Sequence, residues 1–420
     1  MLRSTARSPD GALGDTESRF LTCYELYITM PHNLFAYCCK RLALILALFS
    51  PLSVMAADAP IIPPAPDINA TSFLLLDSDS MKVIVQHNVH EQKPPASLTK
   101  IMTSYLVERE IEAGRLALTD DVPISVKAWR TGGSKMFVRE GTTVSVEDLL
   151  RGVIIQSGND ASIALAEHVA GSEEAFADMM NQQATMLGMK NSNFLNATGL
   201  PGEEHYSSAW DLALLTRDLI NRFPNHYSLY SERSFEFGGI DQPNRNKLLW
   251  RDKTVDGVKT GYTRAAGYCL VSSAVREGMR LIAVVMGTDS DQARMRESQK
   301  LLSYGFRYFE TRLLYEGGSV LNEHPVYYAD ADTVSLGIEE PVRITYPRGY
   351  YDDIEVELKV PEQLEAPLAA GQKVGEVVLT LHGGELYRAP LVAMEELPEA
   401  GMFGRLGDFL SLFFKELLGG

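Results

Sequence analysis

The chain is predicted to be an α+β protein. Helices with a mainly antiparallel sheet fill about residues 60–318, a small all-β sandwich domain follows over 322–398, and an amphipathic helix over 401–420 ends the chain. Three observations predict this arrangement. Apolar residues switch between a period of two and one near 3.6 within the first segment, they alternate strictly with polar ones after about Asn322, and they collect on one face in the last twenty residues.

Residues 1–56 read as a leader that comes before the fold. Leu42 to Val54 is an apolar run directly after Lys40 and Arg41, and Val54-Met55-Ala56 offers small residues where a signal peptidase cuts. The run is too short for a bilayer, which needs about 20 apolar residues. Residues upstream of Met30 resemble neither a signal n-region nor a domain, so Met30 is expected to be the true start, with the first 29 residues a start-site extension. Cleavage after Ala56 leaves 364 residues and moves the net charge from −16 to −17, because the removed segment carries five basic and four acidic side chains.

From Thr71 to Val85, two apolar strands joined by the polar turn Asp77-Ser78-Asp79-Ser80 predict a hairpin. Leu98, Ile101, Met102, Tyr105, Leu106 and Ile111 then recur at helical spacing up to the stop signal Gly114. Further helices are expected over about 146–155 and 161–187, and strands return at Tyr268 to Ala274 and Leu281 to Met286. Val342 to Tyr346, Ile354 to Val360 and Val374 to Leu381 alternate between turns, as sandwich strands do. In the last segment Met402, Phe403, Leu406, Phe409, Leu410, Phe413, Phe414, Leu417 and Leu418 share one helical face, Arg405, Asp408, Ser411, Lys415 and Glu416 share the other, and Leu412 alone strays. Such a terminal helix after a glycine break is expected to lie in a membrane interface, held by apolar burial because its charges cancel.

Composition excludes several classes. With 45% hydrophobic and 22% charged residues the chain is globular, and a formal charge of −16 argues against a nucleic-acid partner. Four cysteines cannot make a disulfide scaffold, and Cys23, Cys38 and Cys39 leave with the leader. The remaining one, Cys269, sits in an apolar run and reads as a small buried hydrophobe. His87 and His90 lack the H-E-x-x-H pattern of a zinc peptidase, and His168 and His205 have no nearby ligand cluster, so no metal or cofactor is expected. No G-x-S-x-G elbow supports a Ser-His-Asp hydrolase.

Three short motifs carry the chemistry. Ser97-Leu98-Thr99-Lys100 places a serine and a lysine one helical turn apart on one face, where a lysine shielded from water beside cations can take the serine proton. Ser157-Gly158-Asn159 reads as a tight turn between helices that turns both flanking side chains to one side. Lys259-Thr260-Gly261, read as lying just before a strand, pairs two carboxylate-binding groups with a glycine that lets another backbone approach. Each pattern alone is weak; S-x-x-K is expected about once or twice by chance in a chain this long. Each of the three is nevertheless unique here, and they occur in this order, with the decoy Arg130-Thr131-Gly132 falling before the second motif.

In that order they match the signature set of penicillin-binding proteins and serine β-lactamases. With ASLTKIMT, IIQSGNDAS, NATGLP, HYSSAWDLA, VDGVKTGYT and LLSYGFRYFE, the chain resembles the low-molecular-mass penicillin-binding proteins that are D-alanyl-D-alanine carboxypeptidases. The resemblance implies a β-lactamase-like catalytic domain and an enzyme that removes the terminal D-alanine from peptidoglycan pentapeptides through an acyl-enzyme, inhibited by β-lactams. It implies Ser97 as nucleophile, Lys100 as acylation base and Ser157 as proton relay. It also implies substrate contacts from Asn159, Lys259, Thr260, Gly261 and Tyr262, with an oxyanion hole formed by the backbone N–H groups of Ser97 and Tyr262. Many relatives carry histidine where Tyr262 stands, a change expected to bear on substrate preference more than on catalysis. A carboxylate-holding arginine is assigned to Arg294, with Arg296 its competitor. The implied location is the periplasmic face of the inner membrane, with the terminal helix on the membrane surface.

Three other readings compete. A β-lactamase would need a deacylating glutamate, for which Glu203 and Glu204 are candidates. A D,D-endopeptidase would use the same site on crosslinks, and a peptidoglycan-binding morphology protein would keep the fold without turnover.

Overall fold

The computed structural model describes residues 62–417, so the leader, the Met30 start and three of the four cysteines lie outside the described residues. The catalytic part is organised around a five-stranded antiparallel sheet. Its strands are Ser72–Asp77 (β1), Val83–His87 (β2), Val255–Thr263 (β3), Gly267–Arg276 (β4) and Met279–Thr288 (β5), in the order β2-β1-β5-β4-β3.

The alternation along these strands explains the three-layer packing. Leu74 and Leu76 of β1, Cys269 and Val271 of β4, and Ile282, Val284 and Met286 of β5 face one core. Their neighbours Leu75, Leu270, Leu281, Ala283 and Val285 face a second core on the opposite side. Both sheet faces are covered, which is why β4 and β5 read as continuous apolar runs. The first core is completed by Lys100–Glu112 (α1), Val146–Arg151 (α2), Asn159–Ala170 (α3), Glu173–Met186 (α4) and Ala209–Arg222 (α5). The second is closed by Asp291–Tyr308 (α6), through Leu301, Leu302 and Phe306.

The structure departs from the predicted helices in three places. The stretch 161–187 is two helices, because Gly171 takes a left-handed φ of 81° and the Ser172 side chain accepts the Ala175 N–H to cap α4. The stretch 146–155 is one α-helical turn and a half followed by a π-helical turn, Gly152–Gln156. Helix α1 is preceded by a 3-10 turn, Ala96–Thr99, that carries Ser97.

Strand Phe309–Tyr315 (β6), which comes before the expected boundary at 318–322, pairs with Val342–Pro347 (β9). The neighbouring six-stranded sheet contains Val320–Tyr327 (β7), Thr333–Gly337 (β8), Ile354–Lys359 (β10), Leu364–Glu365 (β11), Lys373–Leu381 (β12) and Gly384–Ala393 (β13). Val334, Leu336, Ile344, Tyr346, Leu379 and Leu391 form its core against the β6–β9 ribbon. Side chains join this part to the catalytic part: Thr311 Oγ1 donates to Asp77 Oδ2 at 2.7 Å, and Ser80 and Thr345 share a hydroxyl contact of 2.5 Å.

The last described element is Met402–Leu417 (α7). Met402, Phe403, Leu406, Phe409, Leu410, Phe413 and Phe414 are exposed on it. Among the described residues no helix is long and apolar enough to cross a membrane.

Candidate active site

Ser97 and Lys100 stand where the 3-10 turn runs into α1. The turn is entered through Ala96, whose φ of 49° is left-handed for a residue with a side chain. Gly199 makes room for it: a Cβ there would lie 1.8 Å from the Ala96 carbonyl oxygen. Lys100 is 1% exposed, and its Nζ has three partners: Ser97 Oγ at 3.1 Å, Asn159 Oδ1 at 2.7 Å and the Thr198 carbonyl oxygen at 2.5 Å. Burial pushes the Lys100 pKa down to about 7, although Asp160 and Glu173 favour its charged form. A lysine poised there holds or releases a proton near neutral pH, as a general base must.

The second motif follows the π-helical turn. The left-handed residue is Ser157, with φ of 66°, and not the glycine expected to make the turn. Gly158 serves space instead, since a Cβ on it would lie 2.8 Å from Asp160 Oδ1 and 3.2 Å from the Met136 nitrogen. Asp160 anchors this corner by accepting the backbone N–H groups of Met136, Phe137 and Ala161 at 2.9–3.0 Å. Asn159 is fixed at both ends of its amide, accepting from Lys100 and donating to the Gly132 carbonyl oxygen at 2.7 Å. The decoy segment Arg130-Thr131-Gly132 therefore supports Asn159. Ser157 Oγ is buried and has no hydrogen-bond partner among the described residues.

The third motif lies inside edge strand β3, where the sequence reading had put it ahead of a strand. The pattern missed this because β3 is apolar on few positions and its residues face a neighbouring turn. The expected close approach is present: a Cβ on Gly261 would lie 3.0 Å from the Pro95 carbonyl oxygen and 3.3 Å from Ala96 Cβ, so the glycine brings β3 against the nucleophile's turn. Lys259 is 2% exposed and, among the described residues, donates only to the Thr260 carbonyl oxygen, at 3.3 Å. Burial and the cationic neighbours Lys100, Arg245 and Arg294 push its pKa well below the usual lysine range. Thr260 is buried beside it, whereas Tyr262 is exposed and rests on the Tyr268 ring at 4.2 Å between centroids.

Arg294 is buried and donates from Nη1 to the Gly261 carbonyl oxygen at 2.9 Å, and it forms an ion pair with Asp291. Arg296 is exposed and pairs with Glu297, so of the two arginines it is Arg294 that reaches β3. Glu203 and Glu204 are both exposed. Cys269 is fully buried, and burial pushes its thiol up to about 11.

One contributor had no assigned role in the sequence: the loop that follows α4. Thr198 gives its carbonyl to Lys100, and Asn196 Oδ1 shapes the loop by accepting the N–H groups of Thr198 and Gly199 and the Thr198 hydroxyl at 2.8–3.1 Å. The only available signal was the turn-forming string Asn196-Ala197-Thr198-Gly199, and a backbone carbonyl contact leaves no mark on residue type.

The family model described as D-alanyl-D-alanine carboxypeptidase matches residues 58–290, and the one described as the C-terminal domain of penicillin-binding protein 5 matches residues 309–399. The chain belongs to the D-alanyl-D-alanine carboxypeptidase family. It is 42% identical over 393 residues to the D-alanyl-D-alanine carboxypeptidase DacA of Escherichia coli K12, covering 90% of this chain and 98% of that one. Among solved structures, penicillin-binding protein 5 from Haemophilus influenzae matches with a TM-score of 0.79 at 43% identity, over 80% of this chain and all of that one. Penicillin-binding protein D2 from Listeria monocytogenes, in its ampicillin-bound form, matches with a TM-score of 0.54 at 29% identity, over 58% of this chain and all of that one. The chain is thus a serine-type D-alanyl-D-alanine carboxypeptidase of the penicillin-binding proteins, with a role in the cell wall. In this carboxypeptidase the three motifs, 162 residues apart from Ser97 to Lys259 in sequence, converge on one seam between α1, the Ser157 turn and β3.

Proposed function

We propose that Ser97 is the residue acylated by the penultimate D-alanine of a peptidoglycan pentapeptide, and that Lys100 is the base that activates it. Ser97 Oγ attacks the carbonyl carbon between the two D-alanines while its proton passes to Lys100 Nζ. The carbon–nitrogen bond then breaks, the leaving amine takes a proton relayed through Ser157 Oγ, and free D-alanine departs. Water attacks the ester that remains, returning the proton to Ser97 Oγ and freeing the shortened peptide. Asn159 hydrogen-bonds the donor peptide, and Lys259, Thr260 and Arg294 receive or support the terminal carboxylate. The N–H groups of Ser97 and Tyr262 form the oxyanion hole, a device whose removal costs about 2.7–4 kcal/mol per donor elsewhere.

The observation that carries this reading is the contact set of Lys100. A neutral lysine has two N–H bonds and one lone pair. With Asn159 Oδ1 at 2.7 Å and the Thr198 carbonyl oxygen at 2.5 Å taking the two N–H bonds, the lone pair is left for the Ser97 hydroxyl at 3.1 Å. The exposure of Glu203 and Glu204 weighs against either of the two glutamates named for a β-lactamase reading. The test is D-alanine release from a muramyl pentapeptide: steady release that penicillin blocks supports the carboxypeptidase, whereas rapid penicillin turnover without D-alanine release would support a β-lactamase.

We further infer export through the leader and attachment to the periplasmic face of the inner membrane by α7. Its support is the unpartnered apolar face of Met402, Phe403, Phe409, Phe413 and Phe414, since a Phe- and Leu-rich terminal helix gains most by apolar burial in an interface. The proposed domain limits are 60–318, 322–398 and 401–420, with β6 at the end of the first stretch pairing into the second. Removing residues 401–420 is expected to free the protein from membrane fractions while leaving D-alanine release unchanged; a truncated protein that stays membrane-bound would refute the anchor.

A further inference from the structure

His205 lies outside the three motifs, yet it is 3% exposed and both of its ring nitrogens are engaged next to them. Nε2 meets Thr99 Oγ1 at 2.9 Å, in the turn between Ser97 and Lys100, and Nδ1 meets Asn196 Nδ2 at 3.3 Å. The hydrogen-bond pattern fixes the tautomer. Asn196 Oδ1 already accepts three bonds from Thr198 and Gly199, so the group facing His205 is the amide nitrogen, a donor. His205 Nδ1 therefore accepts, and the ring proton sits on Nε2 and is donated to Thr99. Burial and the nearby Lys100 cation push the imidazole pKa down to about 4, so this arrangement persists across neutral pH.

We infer that His205 is a positioning residue for the reaction: it ties the nucleophile's turn at Thr99 to the Asn196 amide, and so holds the Thr198 carbonyl on Lys100. Neighbouring contacts fit the same purpose. Thr103 Oγ1, one turn along α1, donates to the Ala197 carbonyl oxygen at 2.7 Å, and Glu173 accepts the Ala197 N–H at 3.2 Å, so the loop is held from three sides around the one carbonyl that Lys100 uses. The charged groups that bear on Lys100 are Asp160 from α3, Glu173 from α4 and Lys259 from β3, and none of them replaces the Thr198 contact.

The inference rests on Lys100 acting as the base, and the test separates the two. The rate of acylation by a chromogenic or fluorescent penicillin is followed against pH for the whole protein, for His205→Leu, for Asn196→Ala and for the double variant. The wild type should lose activity as pH falls through about 7, where Lys100 gains its proton; no such limb would overturn the Lys100 reading itself. Losing the Thr198 acceptor disfavours the ammonium, so in His205→Leu the limb should move to lower pH by about half a unit or more while the plateau rate falls about tenfold or more. Asn196→Ala should do the same, and the double variant should be no worse than either single one. If His205→Leu yields no folded protein, His205→Gln, which keeps a donor for Thr99 and gives up the acceptor for Asn196, reads the same two quantities. An unmoved limb with the rate merely scaled to the folded fraction, or losses that multiply in the double variant, would overturn the inference.

Discussion

Two lysines are buried in the same seam, and their surroundings differ in kind. Lys100 has three close oxygen partners, while Lys259 has one carbonyl at 3.3 Å and three cationic neighbours. Burial lowers the pKa of both, so burial alone does not set their roles. The partners do. Around Lys100 two oxygens accept its N–H groups with the Ser97 hydroxyl 3.1 Å away, which suits a base. Around Lys259, Arg245 and Arg294 positive charge gathers, with Asp291 shared between Arg294 and Lys247, which suits a site waiting for an anion. A substrate carboxylate arriving there would favour the charged form of Lys259 and offset the gathered positive charge.

The largest break in this comparison should come from Lys100→Met. Without a base, acylation by penicillin and D-alanine release should both fall by about 10²- to 10⁴-fold, the usual worth of general base catalysis. A loss below tenfold would move the base elsewhere. Lys259→Met should cost less, roughly tenfold to a hundredfold in kcat/KM, the scale of one charged hydrogen bond. Its loss should be concentrated on substrates that carry a terminal carboxylate, and an equal loss on uncharged esters would contradict the anion role. Arg294→Ala should be smaller still, because the guanidinium donates to the Gly261 carbonyl oxygen and acts on the substrate partly through β3. It should raise KM for a D-Ala-D-Ala peptide by about tenfold and spare esters without the carboxylate; equal losses on both would leave Arg294 as a support of β3 alone.

The legible part of the site was the part written in side chains at fixed local spacing. Ser97 and Lys100 share a face because they are one turn apart, and Gly261 stands where a Cβ would press on Pro95 and Ala96. The Thr198 carbonyl was not legible, because any residue supplies a carbonyl and its 98-residue separation from Lys100 is closed only by the fold. The same holds for His205, which resembles an isolated histidine until Thr99 and Asn196 are placed beside it. In the fold, β4 and β5 were visible as apolar runs, whereas α6, with Leu301, Leu302 and Phe306 spread among charged residues, gave a thinner stripe and was not expected. The break of 161–187 at Gly171 was carried by one backbone angle, and apolar periodicity does not report angles.

The most direct measurement is the site of covalent labelling. Incubation with a labelled penicillin followed by peptide mapping should place a single stable adduct on Ser97, and Ser97→Ala should show none while keeping its fold. A Ser97→Ala protein that still labels, or an adduct mapped to another residue, would contradict the mechanism.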